Sequence, residues 1–401
     1  MAEVNTAKDL NKRRAATVLL MTMVMLGVFP VDVLLPSFPA LSEHFGTSPA
    51  DIAFSISLFA IGISVSQLLI GPLSDVIGRK RLLLAGMAVS VVGSVGCVMS
   101  TEYGYFLLFR VVQALGCGCF VLSQALVQDL FEGKERDQLR ILMVTASGIF
   151  ISVSPLAGTL LQELLGWPGS FHVFIALCAA VFLKACLFLE NSHTPQGPRH
   201  GIIGAYRLVF SNFTFVGYWL IAAIVFACHF SFIVISPLIF MEQLQLTAYE
   251  FSLTLLLYGA AYIIGGIVAR VLGNRITPNT QIVVGLSLIG FAGVTLLYLW
   301  HQFSLSTATI LLPMIICTAG TTIARPAATS KAMSLFPDNA GASASAGNTL
   351  IFIFGGLISA LVNLSTADLQ VTLAFSFLVL STLGLLLNWR ISHRGRVLSP
   401  A

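Results

Sequence analysis

The chain has 401 residues, of which 57% are hydrophobic and only 9% are charged, and its formal net charge is +4. This composition excludes a water-soluble globule, because a folded soluble chain could not remove so much apolar surface from water. The small positive charge gives no indication of a nucleic-acid partner. We therefore predict an integral membrane protein.

Uncharged apolar runs recur along the chain at lengths that suit a bilayer. A helix needs about 20 apolar residues to cross about 30 Å of hydrocarbon. Runs of this kind predict twelve transmembrane helices, near residues 15–36, 52–72, 82–100, 104–127, 141–162, 171–189, 213–238, 251–270, 278–300, 307–325, 341–363 and 370–389. The predicted fold is all-α, with little chain left for a soluble domain.

Basic residues alternate with the predicted spans and indicate their orientation. They precede the first span and follow every second span after it, whereas the intervening loops contain no lysine or arginine. Cytoplasmic loops of membrane proteins are enriched in these residues. We therefore expect both termini in the cytoplasm, and a first span that is retained rather than cleaved as a signal peptide.

A polar stretch at 191–212, rich in proline and glycine, follows the sixth span. It predicts six-helix bundles at 1–190 and 213–389, joined by this cytoplasmic linker, and a cytoplasmic tail at 390–401. Similar proline-containing sequences end the first and seventh spans, which suggests an internal repeat. Two matched halves are typical of transporters whose binding site lies between them.

Asp32 is the only carboxylate well inside a predicted span of the first half. A charge at that depth requires a function or a partner, so we predict that Asp32 carries a coupled proton and contacts substrate. At a rise of about 1.5 Å per residue, Asp32 lies about 6 Å and Arg110 about 9 Å from the outer ends of their helices. Movement of Asp32 towards or away from Arg110 would change its protonation. The alternative is a fixed ion pair that only joins the two helices.

Prolines and glycines are expected to bend helices or to bring them together. Pro36, Pro155 and Gly158 could interrupt main-chain hydrogen bonding and leave bendable segments, although packing explains them equally well. In the charged loop after the second span, Gly71 would allow close helix approach and Gly78 a tight turn.

Polar and aromatic residues of the spans would complete a binding cavity. Gln113, one turn after Arg110, could hydrogen bond to substrate or form an ordinary interhelical contact. His229 is central in the seventh span and could titrate, bind substrate or be a packing residue. Phe226 and Tyr258 would shape the cavity, and Arg110, His229 and Arg325 leave room for an anionic or zwitterionic substrate.

Sequence motifs of this chain resemble those of a known family. The loop Gly71-x-Leu73-Ser74-Asp75-x-x-Gly78-Arg79-Lys80 resembles the signature of the major facilitator superfamily. Two motifs are similar to those of its drug:proton antiporter branch, Leu107-x-x-Arg110-x-x-Gln113-x-x-Gly116-x-Gly118 and Ser154-Pro155-x-x-Gly158. Two more resemble the bicyclomycin and chloramphenicol resistance (Bcr/CflA) subfamily, Val31-Asp32-x-x-Leu35-Pro36-x-x-Pro39 and Arg325-Pro326-Ala327-Ala328.

The resemblance covers essentially the whole chain and implies the two-bundle fold of that superfamily. It implies an exporter in the bacterial inner membrane that exchanges protons for drugs, or for a metabolite such as a siderophore. In the family, an aspartate at the position of Asp75 faces the start of the eleventh helix. We therefore expect Asp75 and Arg79, with Arg136 after the fourth span, to form a cytoplasmic gate; the alternative for Arg79 is that it only sets orientation.

The sequence gives weaker support to other classes of function. A proton symporter that imports a nutrient would use the same fold, and it stays open as the main alternative. The seven cysteines lie within predicted spans without metal-ligand spacing, and no zinc-protease, nucleophile-elbow or nucleotide-loop motif occurs. We therefore expect a monomer without enzyme activity, cofactor or metal, whose partners are lipid, protons and a small substrate.

Overall fold

The computed structural model describes residues 2–131, 133–189, 201–273, 275–336, 340–365 and 368–397. The described chain is helical almost throughout. Its α-helices are α1 (Ala2–Asp32), α2 (Phe38–Phe45), α3 (Pro49–Ile77), α4 (Arg79–Met99), α5 (Tyr103–Cys117), α6 (Leu122–Leu130), α7 (Gly133–Leu165), α8 (Gly169–Phe188), α9 (Gly201–Ser211), α10 (Phe213–Pro237), α11 (Ala248–Gly273), α12 (Pro278–Gln302), α13 (Thr307–Met333), α14 (Ala340–Asn363) and α15 (Leu369–Val397). Short 3₁₀ turns at Leu35–Ser37 and Gly118–Val121, and a π-helical turn at Leu238–Gln243, extend three of the crossings.

The protein is a multi-pass membrane protein. Eleven helical segments of the described chain are long and apolar enough to cross a bilayer, and they correspond to eleven of the predicted spans. The remaining predicted span, 141–162, falls on α7, whose apolar stretch in the described residues is the shorter Ile149–Leu165. The twelfth crossing and the cytoplasmic location of both termini stay predictions.

The first crossing is broken just before Pro36, one of the residues that the sequence analysis named as able to interrupt a helix. α1 ends at Asp32, and the 3₁₀ turn and α2 continue the same crossing to Phe45. Pro36 and Pro39 occupy the first turns of the two segments that follow the break, where the missing N–H groups cost no helical hydrogen bond. Asp32 therefore lies about 20 Å before the end of the crossing, at about 1.5 Å per residue, and not about 6 Å as expected.

Helices on either side of residues 190–200, which lie outside the described part, pack mostly with helices of their own side. Before it, α1 contacts α7 and α8, and α4 contacts α5 and α8; after it, α12 contacts α13 and α15, and α10 contacts α13 and α14. The two groups meet along α3 with α14 and along α7 with α11. Within the predicted linker, α9 is held to α3 by Tyr206, whose hydroxyl donates to the Leu68 carbonyl at 2.9 Å.

Gly158 allows α7 to approach the break in the first crossing. A Cβ atom at this position would lie 2.3 Å from the Val33 carbonyl oxygen and 3.2 Å from Cδ of Pro36. A main-chain oxygen and a proline ring cannot move aside as a flexible side chain can. Because α7 continues as one helix through Pro155 and Gly158, the glycine serves close packing and does not divide the helix.

We expect Gly158→Ala to lower the melting temperature of the purified protein. Forcing a methyl group against these atoms would cost about 1–3 kcal/mol, as other overpacked sites do. Gly266→Ala in α11 is the matched control, because a Cβ atom there would meet no atom within 4 Å. Thermal unfolding followed by intrinsic fluorescence compares the two, and equal melting temperatures for Gly158→Ala and wild type would contradict the close contact.

Candidate functional site

A small cavity between the two groups of helices contains the predicted proton carrier. Its volume is about 20 Å³, which is enough for one water molecule. Asp32 lines it from the first group, with Ser152 of α7, while His229 and Tyr258 line it from the second. Asp32 is 8% exposed, and it forms no hydrogen bond or ion pair with any described residue. Its carboxyl group is therefore available to a water molecule, a proton or a ligand in the cavity.

The break after α1 leaves main-chain carbonyl groups without their helical donors. The N–H of Leu34 donates to the Val31 carbonyl at 3.3 Å instead of to Pro30. Pro36 has no N–H to donate to the carbonyl of Asp32. The helix end that carries Asp32 therefore offers acceptor groups to neighbouring helices.

Arg110 uses one of these acceptors. It is fully buried; Nη2 donates to the Pro30 carbonyl at 3.3 Å and Nη1 to Oε1 of Gln113 at 2.6 Å. Its Cζ atom lies 4.2 Å from the ring centroid of Phe59. Gln113 donates in turn to Oγ of Ser94 at 2.8 Å. Arg110 and Gln113 thus form a network that holds the end of α1, and neither donates to the carboxyl group of Asp32.

His229 and Tyr258 form a pair on the opposite wall of the cavity. Nδ1 of His229 and the Tyr258 hydroxyl are 2.5 Å apart, and the two rings stack with centroids 5.6 Å apart. The ring of Tyr262, a residue that the sequence analysis did not select, lies 5.5 Å from His229. The structure therefore brings Asp32 to one cavity with His229 and Tyr258, although Asp32 lies about 200 residues before them in the chain.

Phe226 lies in a different aromatic group of α10 and α14. Its ring centroid is 5.2 Å from that of Phe230 and 5.3 Å from that of Phe352. The guanidinium carbon of Arg325 lies 5.0 Å from the Phe226 centroid. Phe226 does not line the cavity that contains Asp32.

Hydroxyl groups join the two halves at the end opposite the basic loops. The hydroxyl oxygens of Ser57 and Ser359 are 2.8 Å apart, and those of Thr159 and Ser252 are 2.6 Å apart. Towards the basic loops, a Cβ atom at Gly71 would lie 2.2 Å from Oγ of Ser345. The α3–α14 contact therefore runs along most of both helices, and small residues permit it.

The loop between α3 and α4 contacts its own half. Nη1 of Arg79 lies 2.5 Å from Oδ2 of Asp129 and also donates to the Ala125 carbonyl. Gly78 has a φ of +100°, a conformation that favours glycine. The sequence analysis missed Asp129, although an acidic residue at the basic end of the fourth span was a usable signal. The side chains of Asp75 and Arg136 lie outside the described part of the structure.

Lys80, the neighbour of Arg79, holds the end of another helix. Its Nζ atom donates to the carbonyl groups of Cys186 at 2.9 Å and Leu189 at 2.6 Å. Cys186 lies in the last turn of α8 and Leu189 directly follows the helix, where a cation is favoured by both hydrogen bonding and the helix dipole.

Known proteins share both the sequence pattern and the fold. The sequence profile of the Major Facilitator Superfamily matches residues 18–361. The chain is 24% identical over 318 residues to the multidrug resistance protein MdtL of Shewanella oneidensis, covering 79% of this chain and 80% of that protein. It is 28% identical over 289 residues to the multidrug transporter MdfA of Escherichia coli O157:H7, covering 69% and 70%. A partially occluded inward-open structure of the xylose transporter XylE from E. coli superposes with a TM-score of 0.72, at 13% identity, over 94% of this chain and 97% of that chain.

Proposed function

Because the chain belongs to the Major Facilitator Superfamily, we propose that it exports small amphipathic molecules across a bacterial inner membrane in exchange for protons. The observation that carries this proposal is the carboxyl group of Asp32, which lies between the two halves of a membrane carrier and pairs with no described residue. An intramembrane acid without a structural partner needs another use. The names of the relatives MdtL and MdfA favour drugs as the substrate class, and the motifs favour the bicyclomycin and chloramphenicol resistance subfamily.

One proton per cycle provides enough free energy to export one neutral molecule against a tenfold gradient. A proton that moves inward contributes about 2.3 kcal/mol per 100 mV of membrane potential. Exporting a neutral molecule against a tenfold gradient costs about 1.4 kcal/mol. A single carboxyl group is therefore sufficient, and the second half needs no acidic residue of its own within the membrane.

The network around Asp32 supports a route from protonation to movement. Arg110 holds the carbonyl of Pro30, two residues before Asp32, so a change in charge at Asp32 acts on a helix end that is already tied to the fourth crossing. His229 and Tyr258 face Asp32 from the other half. In the proposal, these residues, with Gln113 and Phe226, contact the substrate as the halves rearrange.

The loop between α3 and α4 is proposed as the cytoplasmic gate. Gly71 lets α14 approach α3, Gly78 makes the turn, and Arg79 contacts Asp129. Asp75 and Arg136 complete the gate in this proposal. As the cytoplasmic side opens, Arg79 would either keep its contact with Asp129 or exchange Asp129 for another partner.

Proton movement in inside-out vesicles tests the exchange. Vesicles energised by respiration acidify their interior, and antiport of chloramphenicol or ethidium into them should release protons and raise the internal pH. Vesicles from cells without the protein are the control. Alkalinisation of the medium when substrate is added to whole cells would instead favour a symporter, and a screen of siderophores by thermal stabilisation would identify a metabolite exporter.

Alternating access predicts that a cross-link that holds the outer end closed will stop transport. Ser57 and Ser359 are close enough, at 2.8 Å between hydroxyl oxygens, for cysteines at both positions to form a disulfide. The double variant Ser57→Cys/Ser359→Cys should lose export after oxidation by copper phenanthroline and regain it with dithiothreitol. Each single variant is a control. Full export by the cross-linked protein would contradict alternating access at this contact.

A further inference from the structure

Arg325 lies within a membrane crossing. The sequence analysis placed it at the cytoplasmic end of the tenth span, but α13 continues past it to Met333. At about 1.5 Å per residue, Arg325 lies about 12 Å inside the end of the helix. A guanidinium at this depth is costly unless it has a partner.

Among the described residues, Arg325 has an aromatic neighbour but no hydrogen-bond acceptor. The side chain is half-buried, and its Cζ atom lies over the face of Phe226, 5.0 Å from the ring centroid. No residue of the described chain forms a hydrogen bond or ion pair with Arg325. A contact with a ring face contributes up to about 2 kcal/mol, but it gives the five N–H donors of the guanidinium no acceptor within the described chain.

Among the described residues of the second half, no acidic group lies at the depth of Arg325. Among its described residues, the carboxylates are Glu242, Glu250 and Asp368, and all three are exposed at the end of the bundle opposite Arg325. Asp32 belongs to the first half and makes no ion pair with a described residue. The missing acceptor must therefore come from outside the described protein.

The surroundings of Arg325 indicate the kind of group that would bind. Phe226 and Phe352 pack edge to face at 5.3 Å, and Gly355 leaves room for the Phe226 ring. One cation thus stands beside an apolar aromatic wall.

We propose that Arg325 and Phe226 form a subsite for an anionic group of the transported molecule, so that amphipathic acids and zwitterions are preferred substrates. The carboxylate or sulfonate of such a molecule would accept hydrogen bonds from the guanidinium, while its apolar body lies on the aromatic wall. In a zwitterion, the cationic group would be directed towards Asp32. This inference rests on the proposed export function for its biological meaning, but the binding site itself can be tested without transport.

Equilibrium binding of a matched acid and ester tests the subsite. Pyrenebutyrate and its methyl ester share one apolar body and differ by a single negative charge, and pyrene fluorescence reports binding to the purified full-length protein in nanodiscs. Arg325→Gln should weaken pyrenebutyrate binding at least about tenfold, the effect of losing a hydrogen bond between charged groups, and leave the ester unchanged. Arg325→Lys should retain part of the preference, because the charge stays but the planar donor pair is lost.

Controls separate this result from loss of folding and from failure of the export proposal. Arg207→Gln removes an exposed cation of α9 and should change neither affinity. Equal weakening of acid and ester in both Arg325 variants would identify a structural role and overturn the subsite, as would unchanged acid binding in Arg325→Gln. Selective acid binding in a protein that fails the vesicle proton assay would overturn antiport while supporting the subsite.

Discussion

Replacement of Asp32 by asparagine is expected to reduce drug-driven proton movement to the background of vesicles that lack the protein. Asparagine has nearly the same size and polarity but cannot carry a proton between the two sides. Asp32 forms no hydrogen bond or ion pair with a described residue, so the substitution breaks no recorded contact. The melting temperature should therefore stay close to that of wild type.

Substrate exchange without a proton gradient distinguishes coupling from binding. Asp32→Asn should still exchange labelled for unlabelled substrate in counterflow, because this process requires only binding and movement of the halves. Glu43→Gln, which changes an exposed acid of the same crossing, should retain wild-type proton exchange. Wild-type proton movement in Asp32→Asn would remove Asp32 from the coupling role.

Arg110→Met is expected to lower the stability of the folded protein more than Asp32→Asn does. It leaves Oε1 of Gln113 and the carbonyl of Pro30 without a donor that both use in the folded protein. Each unsatisfied buried acceptor costs about 1–3 kcal/mol, and the contact of the guanidinium with Phe59 is lost as well. We expect a lower melting temperature in nanodiscs and little transport.

Arg110→Lys separates charge from geometry at this site. A lysine keeps the positive charge but cannot place two donors in the fixed fork that reaches Gln113 and Pro30. We expect it to regain only part of the lost stability, with Arg207→Gln as the control for removal of an exposed cation. If Arg110→Met unfolded at the wild-type temperature and transported normally, the network would not hold the end of α1.

Local properties of the sequence predicted where the membrane crossings lie better than they predicted the breaks within a crossing. The length of an uncharged run decides whether a helix can span a bilayer, and eleven predicted spans correspond to suitable helices in the described chain. The break after Asp32 was not predictable in the same way, because a proline can either end one helix or begin the next. Pro36 and Pro39 begin new helical segments here.

The composition of the candidate site depended on packing between distant segments. Depth along a helix suggested that Asp32 and Arg110 could meet, but depth does not determine which face of a helix points where. In the structure Arg110 binds a main-chain carbonyl of α1, and the cavity opposite Asp32 is completed by His229 and Tyr258. The place of Arg325 was missed because a charge was taken to end a span, whereas a charged side chain that faces the protein interior can lie within one.

The two hydrogen bonds of Lys80 have a mechanical consequence for the first half. Lys80, the second residue of α4, donates to carbonyl groups at the end of α8, while the adjacent Arg79, which begins α4, is bound to α6. Three helices, α4, α6 and α8, are thus joined at one end through the first two residues of α4. A force applied to any of these helices would tilt the others with it, so this end of the first half is expected to move as one rigid unit and not as separate helices.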